Sequence, residues 1–322
     1  MTIIDVEKLC RTYVRKTGGG WFKRRGCVET RAVRDLSFSI AAGERVAFIG
    51  PNGAGKTTTL RMLTGLLYPT SGRVVVDGFV PWEQRRALSR SIGLVFGQRS
   101  QLWGDLPVRE SFDSLAVIYG LEKNAARARQ DALVETLQIG DLLSQSARSL
   151  SLGQRMRCEI AASLLHAPKV LFLDEPTIGL DVEAKAILRD YLRSLSRVED
   201  TTLILTSHDT GDIEDVCDRV IMIDHGRKII DQPLTLLQGM FTAQRTLVLV
   251  TEEANPILHL RHGRIVNASA PHRLSVDYDP GQDDVTTLIR TAEAQVKIRD
   301  LSLESPSLET IIRRLYAGEV PT

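Results

Sequence analysis

Period-two runs of apolar residues alternate along this chain with stretches of helical spacing. Leu36, Phe38 and Ile40 alternate with polar neighbours, and residues 2–50 read as strands. The apolar run Val46 to Ile49 ends in a glycine-rich turn. Leu60, Leu63 and Leu67 beyond it recur at helical spacing, which predicts a helix from about Lys56 to Leu66. SGRVVVDG, Ser71 to Gly78, is a strand bounded by glycines. Between Pro107 and Leu150 the texture changes. VRESFDSLAVIYG and AARARQDALVETLQ have helical spacing and few β-branched runs, so this stretch reads as a helical insertion. Strands return with KVLFLD (Lys169 to Asp174), TTLILTS (Thr201 to Ser207) and RVIMID (Arg219 to Asp224), the helix EAKAILRDYLRSLS separating the first two. From about Pro233, TLVLVT, RLSVDY and QVKIRDL read as strands, and DDVTTLIRTAEA and PSLETIIRRLY as helices. Ser305 and Pro306 suit the N-cap and first position of the last helix.

Strands alternating with helices imply an α/β fold with a partly parallel sheet and an active site at the carboxyl ends of its strands. The pattern divides the chain into residues 1–235, with a helical subdomain over about 99–155, and a small α+β unit over 236–322. With 322 residues, 43% hydrophobic and 25% charged, the composition is that of a soluble globular protein large enough for two domains. No apolar run approaches the ~18 residues of a membrane span. The acidic start MTIIDVEKLC lacks the basic region of a signal peptide. A net charge of +1 argues against a nucleic-acid-binding protein. Cys10, Cys27, Cys158 and Cys217 are widely spaced and read as free, buried thiols of a reducing compartment.

The chemistry concentrates at three strand ends. Gly50, Pro51, Asn52, Gly53, Ala54, Gly55, Lys56 and Thr57 form a complete phosphate-loop pattern directly after a strand and before a helix. Free backbone N–H groups at the helix start would cradle phosphates, Lys56 would reach the β- and γ-phosphates, and the Thr57 hydroxyl would bind Mg²⁺. Asp174 and Glu175 follow the strand VLFL. Alone they read equally well as a solvated loop with a helix-capping Asp. With a phosphate loop upstream they suit an Mg²⁺ ligand (Asp174) and a base polarising water against the γ-phosphate (Glu175). His208 stands just past TTLILT, where it could donate to a γ-phosphate. The other histidines, His166, His225, His259, His262 and His272, have no such placement.

SLSLGQRMRCEIAASLLHAPKVLFLDEP resembles the ATP-binding cassette ATPases, whose signature is LSGGQ; here it stands as Leu150, Ser151, Leu152, Gly153, Gln154. Gly50 to Thr58, Gln98, Asp174 with Glu175, Leu180 with Asp181, and His208 follow in that family's order, and the resemblance covers residues 2–235. It implies a P-loop cassette with a mixed sheet, an antiparallel β subdomain and a helical subdomain. It implies hydrolysis of ATP with Mg²⁺ held by Thr57, Gln98 and Asp174, partly through water, and Glu175, His208 and Gln98 as catalytic residues. Tyr13 sits where the family stacks an aromatic on adenine, though it also reads as a core aromatic. Thr58 completes the nucleotide-binding set. Two copies would meet head to tail around ATP, one offering Ser151, Gly153 and Gln154 to the other's γ-phosphate, with Asp181 in the dimer-interface loop. The segment VFGQRSQLWGDLPV and the signature look most like the bacterial export branch. That branch pairs with a separate integral-membrane permease chain at the cytoplasmic face of the plasma membrane. An importer ATPase, or a relative acting on ribosomes or DNA, is the alternative.

Three features depart from that pattern. Leu152 replaces the signature's first glycine, so the local turn is expected to differ. Gly97 precedes Gln98, which keeps the family's spacing to Leu102, Leu106 and Val108 and is chosen over Gln101. The segment from Arg11 to Arg34 is longer than usual, with eight basic residues and one acidic. It reads as a solvated loop tip, or as a contact with phospholipid headgroups or the membrane partner. Leu102, Trp103 and Leu106 suggest a surface beside Gln98, with Trp103 either a partner anchor or packed on the helical insertion.

Overall fold

In the computed structural model the described residues are 1–17, 26–96, 100–198, 200–240, 245–260, 263–281, 283–304 and 306–317. The chain divides between Pro233 and Leu234 into two units.

In the first unit, β1 (Thr2–Thr17) and β2 (Gly26–Ala41) pair antiparallel. Ile4 faces Ile40, Val6 faces Phe38 and Leu9 faces Leu36, so the alternating apolar positions share one buried face. The pairing continues past the sheet from Tyr13↔Thr30 to Thr17↔Gly26. The long basic segment is therefore a β-ribbon on both of its flanks, not a loop throughout; residues 18–25 lie outside the described residues. β3 (Arg45–Ile49) leads through the phosphate loop into α1 (Lys56–Leu63). This helix stops before Leu66, because the backbone turns left-handed at Gly65, φ 71°, whose N–H closes a tight turn on the Met62 carbonyl at 3.2 Å. β4 (Ser71–Val76) pairs with the other edge of β1, giving a three-stranded sheet in the order β2-β1-β4.

After α2 (Arg85–Leu88) and β5 (Ile92–Phe96) comes the helical insertion, α3 (Val108–Tyr119) and α4 (Lys123–Thr136), closed by two single-turn 3₁₀ segments. Gly120 at φ 70° ends α3, and the Glu122 carboxylate caps α4 by accepting from the N–H groups of Asn124 and Ala125. Then follow α5 (Leu152–Leu164), β6 (Val170–Asp174), α6 (Val182–Val198), β7 (Thr202–Thr206), α7 (Thr210–Val216), β8 (Arg219–Asp224) and β9 (Arg227–Pro233). The central sheet has the order β5-β6-β7-β3-β8-β9, parallel except for the edge strand β9. Val170, Leu171, Phe172 and Leu173 are all fully buried, which is why this strand reads as a continuous apolar run and not as an alternation. Leu60, Met62 and Leu63 of α1 join Phe48, Phe172 and Ile221 of the central sheet and Ile4, Val6 and Leu36 of the antiparallel sheet in one core. The rings of Phe38 and Phe48, 5.7 Å apart, bridge the two sheets.

The second unit contains α8 (Leu234–Met240), β10 (Arg245–Thr251), β11 (Arg264–Ala270), β12 (Arg273–Tyr278), α9 (Val285–Glu293), β13 (Ile298–Glu304) and α10 (Leu308–Tyr316). Its antiparallel sheet has the order β11-β12-β10-β13. Leu247, Leu249, Leu274 and Val276 of the sheet pack with Leu288 and Ala292 of α9. The cap of α10 is Ser307, not Ser305: its hydroxyl accepts from the Thr310 N–H, the geometry of a cap three residues ahead of an open donor. Ser305 lies outside the described residues.

Because Phe172 is fully buried between α1 and the strands, Phe172→Ala should cost the first unit about 3–5 kcal/mol. Urea titration followed by circular dichroism reads this loss; a midpoint unchanged from wild type would place the ring outside the core.

Candidate functional site

β3 lies between β7 and β8, so the phosphate loop opens at the middle of the sheet, at its carboxyl edge. Two glycines there are demanded by close approach. Gly55 sits at φ 106°, and a Cβ on it would stand 2.5 Å from the Ala32 carbonyl oxygen; one on Gly50 would stand 2.5 Å from that of Ile223. Among the described residues no side chain caps α1, which leaves its first-turn N–H groups open to a ligand. Lys56 is buried, and its ammonium donates to the carbonyls of Gly50 (2.6 Å) and Pro51 (3.4 Å). Burial pulls its pKa below the usual lysine value, while the charges of Glu175 and Asp174 work against that shift.

The register Asp174↔Thr206 brings the ends of β6 and β7 side by side. The Thr206 hydroxyl donates to Asp174 Oδ1 at 2.7 Å and accepts from the Glu175 N–H at 3.1 Å, so one side chain orients both acidic residues. The other oxygen of Asp174 accepts from the Thr57 hydroxyl at 3.1 Å. A hydroxyl and a carboxylate are the hard oxygen donors that Mg²⁺ takes. Glu175 adopts a left-handed backbone (φ 57°), a strained conformation found at functional sites. Its Oε1 meets His208 Nε2 at 3.0 Å, and its Oε2 is buried with no hydrogen-bond partner among the described residues. Burial raises the Glu175 pKa above the carboxylate range; the charges of His208 and Lys56 oppose the rise.

Lys56, Thr57, Asp174, Glu175 and His208 line one cleft of about 790 Å³, with Phe96 and Met156 on its apolar side. Pro51, Asn52, Gly53, Gly55 and Thr58 line it too, while Ala54 is buried beneath the loop. Tyr13 does not. It lies on β1 opposite Thr30, half-exposed, with the Arg11 guanidinium 4.7 Å from its ring centre; Ala32, two residues along from Thr30, does line the cleft. Gln98 and Gly97 lie outside the described residues. Gln101 is committed elsewhere: its side-chain amide donates to the Leu94 carbonyl, and its N–H donates to the buried carboxylate of Glu159 at 2.9 Å.

The signature segment begins α5. Ser151 and Gln154 form a reciprocal capping box, the Ser151 hydroxyl accepting from the Gln154 N–H and the Gln154 side chain accepting from the Ser151 N–H. Leu152 occupies the first helical position and has no left-handed backbone, so no glycine is needed there and the turn expected to differ is an ordinary helix start. Its side chain lies over Gly179, where an added Cβ would stand 2.6 Å from Leu152 Cδ2. Gly153 packs against Ala184. Asp181 caps α6, accepting from the Ala184 N–H at 2.8 Å.

Leu102 is buried; only Trp103 and Leu106 of that trio stay at the surface. The Trp103 N–H donates to the Ser111 hydroxyl. Of the cysteines, Cys158 and Cys217 are buried, with the Cys158 thiol pushed up to about 12, whereas Cys27 on β2 is exposed. Three residues that organise the site were not singled out in the sequence: Thr206, Thr177 and Asp212. One signal was present. Lys185, Arg189 and Arg193 recur every fourth residue and Asp209, Asp212 and Asp215 every third, the spacing of two helical faces that pair by charge.

Residues 33–178 match the family model described as ABC transporter. The chain is 37% identical to the ABC transporter ATP-binding protein NatA of Bacillus subtilis (strain 168), over 62% of this chain and 80% of that protein. It is 32% identical to the daunorubicin resistance ATP-binding protein DrrA3 of Streptomyces coeruleorubidus, over 94% of this chain and 96% of that protein. Among solved structures, cbiO1 from Clostridium perfringens, part of the ABC transporter complex cbiONQ, superposes with a TM-score of 0.60 at 29% identity, covering 72% of this chain and 88% of that one. A dimeric ATP-binding cassette bound to ADP and Pi superposes with a TM-score of 0.62 at 23% identity, over 72% and 98%. With the phosphate loop, paired carboxylates and strand-end histidine gathered in one cleft, the chain belongs to the ATP-binding, ATP-hydrolysing proteins of ABC transporters.

Proposed function

We propose that this chain powers export through a separate integral-membrane permease, hydrolysing ATP between two head-to-tail copies at the cytoplasmic face of the membrane. The observation that carries the catalytic part is the Glu175–His208 pair lining the same cleft as Lys56, with Glu175 Oε2 buried and, among the described residues, without a hydrogen-bond partner. Export draws support from the likeness to Nod factor export ATP-binding protein I of Burkholderia orbicola (strain AU 1054), 40% identical over 62% of this chain and 65% of that protein, and fits the resistance named for DrrA3, whose likeness extends through the second unit. Among the described residues no helix is long and apolar enough to cross a membrane, so the reading assigns the translocation path to another chain.

Lys56 exchanges the carbonyls of Gly50 and Pro51 for phosphate oxygens, a charge-assisted contact. Thr57 and Asp174, with Gln98, would hold Mg²⁺, which neutralises charge on the phosphates when bound. Glu175 accepts the proton of the attacking water at Oε2 while His208 holds Oε1. Tyr13 stacks on the adenine from β1, backed by Arg11. In the dimer, Ser151 serves the partner's nucleotide: its oxygen accepts from Gln154 N–H, which leaves the hydroxyl proton free for a phosphate. The Gly153 N–H lies in the open first turn of α5 beside it. Asp181, capping α6, shapes the loop that faces the other copy.

Glu175→Gln should leave ATP binding intact and cut hydrolysis by a factor on the order of 10²–10⁴, while Lys56→Ala should lose nucleotide affinity itself. Fluorescent-nucleotide titration and phosphate release separate the two. Wild-type turnover by the first variant, or wild-type binding by the second, removes the corresponding assignment.

A base must be deprotonated to act. Burial raises the Glu175 pKa, so the acid limb of kcat/KM should lie above the ordinary value of 4.5 and vanish from the residual rate of Glu175→Gln. The stability sign follows from the same shift. The folded chain holds this proton more tightly than the unfolded one, so the contribution is complete below 4.5 and lost as pH rises through the folded pKa. The Tm of Glu175→Gln, free of nucleotide, should lack that component of the decline; identical Tm-against-pH curves would contradict it.

Trp103 is 41% exposed beside Leu106 and is proposed as an anchor for the permease. Trp103→Ala should keep the basal ATPase of the isolated chain, weaken co-purification with the permease and abolish transport. A fall in Tm with permease binding preserved would assign Trp103 to packing alone.

A further inference from the structure

Glu175 and His208 stand on different loops, one after β6 and one after β7, yet meet at 3.0 Å. Thr206 fixes the start of the first loop through the Glu175 N–H. The rest of both loops converges on Asp212, the third residue of α7, which is 1% exposed. Asp212 Oδ1 accepts from Arg189 of α6, at 2.7 Å from Nε. Oδ2 accepts two hydroxyls: that of Thr177, two residues past Glu175, and that of Ser207, directly before His208, at 2.7 Å. Thr177 and Ser207 are each 4% exposed. The Ser207 oxygen also accepts from the Asp209 N–H at 3.0 Å, which locks the turn carrying His208.

Other charges surround this group. Arg189 also reaches Asp209 and Asp215, Lys185 pairs with Asp209 at 2.7 Å, and Arg193 pairs with Asp215 at 3.0 Å. The α6–α7 zipper therefore has a buried centre at Asp212 and a half-exposed end at Arg193–Asp215. Fastening two helices requires only the ionic side of Asp212, Oδ1 with Arg189. It does not require Oδ2 to hold two neutral hydroxyls, each within two residues of Glu175 or His208.

We propose that Asp212 is a positioning residue for ATP hydrolysis: its Oδ2, joining the Thr177 and Ser207 hydroxyls, sets the approach of His208 to Glu175. The arrangement rests on the reading of Glu175 and His208 as the hydrolytic pair. With that carboxylate oxygen in place, Glu175 Oε1 is held and Oε2 stays free for the proton of water. Without it the loops drift independently, and a displacement near 1 Å at a base is costly to rate but not to nucleotide affinity.

The test uses the purified full chain, ATPase rates over a range of ATP concentrations, and thermal unfolding of each variant. Thr177→Val and Ser207→Ala remove one hydroxyl each and leave the buried charges paired. Each should lower kcat about tenfold and keep the KM for ATP within about twofold. In a His208→Ala background, Thr177→Val should change kcat less than about twofold, because the pair it positions is already broken. Arg193→Ala, at the far end of the zipper, should lower Tm and keep the wild-type kcat. Asp212→Asn should show the largest kcat loss, and the two hydroxyl variants decide the matter even if it does not fold. Wild-type kcat in both hydroxyl variants, full additivity with His208→Ala, or kcat falling with Tm in Arg193→Ala as well, would overturn the proposal. Wild-type turnover by Glu175→Gln and His208→Ala would instead remove the hydrolytic pair itself.

Discussion

Parallel pairing in register, Asp174 opposite Thr206, is the constraint on which the site depends. Strands β3, β6 and β7 are buried on both faces, so their side chains meet the core and only their ends meet solvent. A shift of one residue in β7 would turn Thr206 away from Asp174 and from the Glu175 N–H together. The carboxylates would then lose the hydroxyl that orients both. The same sheet holds the phosphate loop, because β3 pairs with β7 from Arg45↔Leu203 to Ala47↔Leu205. The Thr57–Asp174 hydrogen bond is thus a consequence of strand order.

The cleft balances charge against burial. Burial lowers the Lys56 pKa against the opposing charges of Glu175 and Asp174, and raises the Glu175 pKa against the opposing charges of His208 and Lys56. Each group is perturbed by desolvation first and by its neighbours second. A site of this kind responds strongly to a tetra-anion, because phosphates change the field felt by Lys56 and Glu175 together. The strained backbone of Glu175 is held by two acceptors on Thr206, its carbonyl and its hydroxyl.

Two of the departures from the family pattern have a structural account among the described residues. Leu152 is accommodated because helix α5 starts at that residue and its side chain finds the open face of Gly179. The described flanks of the basic segment extend β1 and β2 as a paired ribbon, from Tyr13↔Thr30 to Thr17↔Gly26, which pairs their backbone groups beyond the sheet. The second unit builds its own core around Leu247, Leu249, Leu274 and Val276.

By itself the sequence determined the parts whose signal is local. The glycines around Lys56, the apolar run before Asp174 and the period of each strand and helix are set by backbone sterics and by which face is buried. Those forces act over a few residues and leave a readable pattern. Element ends were less legible, because the geometry of one or two residues decides them: the left-handed turn at Gly65 ends α1, and Ser307 in place of Ser305 caps α10. Only the tertiary structure decided that Gln101 is tied to Leu94 and Glu159, that Leu102 is core while Trp103 is surface, and that Thr206 serves two carboxylates. It also decided that Thr177 and Ser207, 30 positions apart, share one oxygen of Asp212. Threonine, serine and aspartate are common at turns and helix starts, and as single letters they look alike wherever they fall. Their role comes from which strand ends the sheet sets side by side, a long-range outcome of hydrophobic burial that no short stretch of sequence encodes.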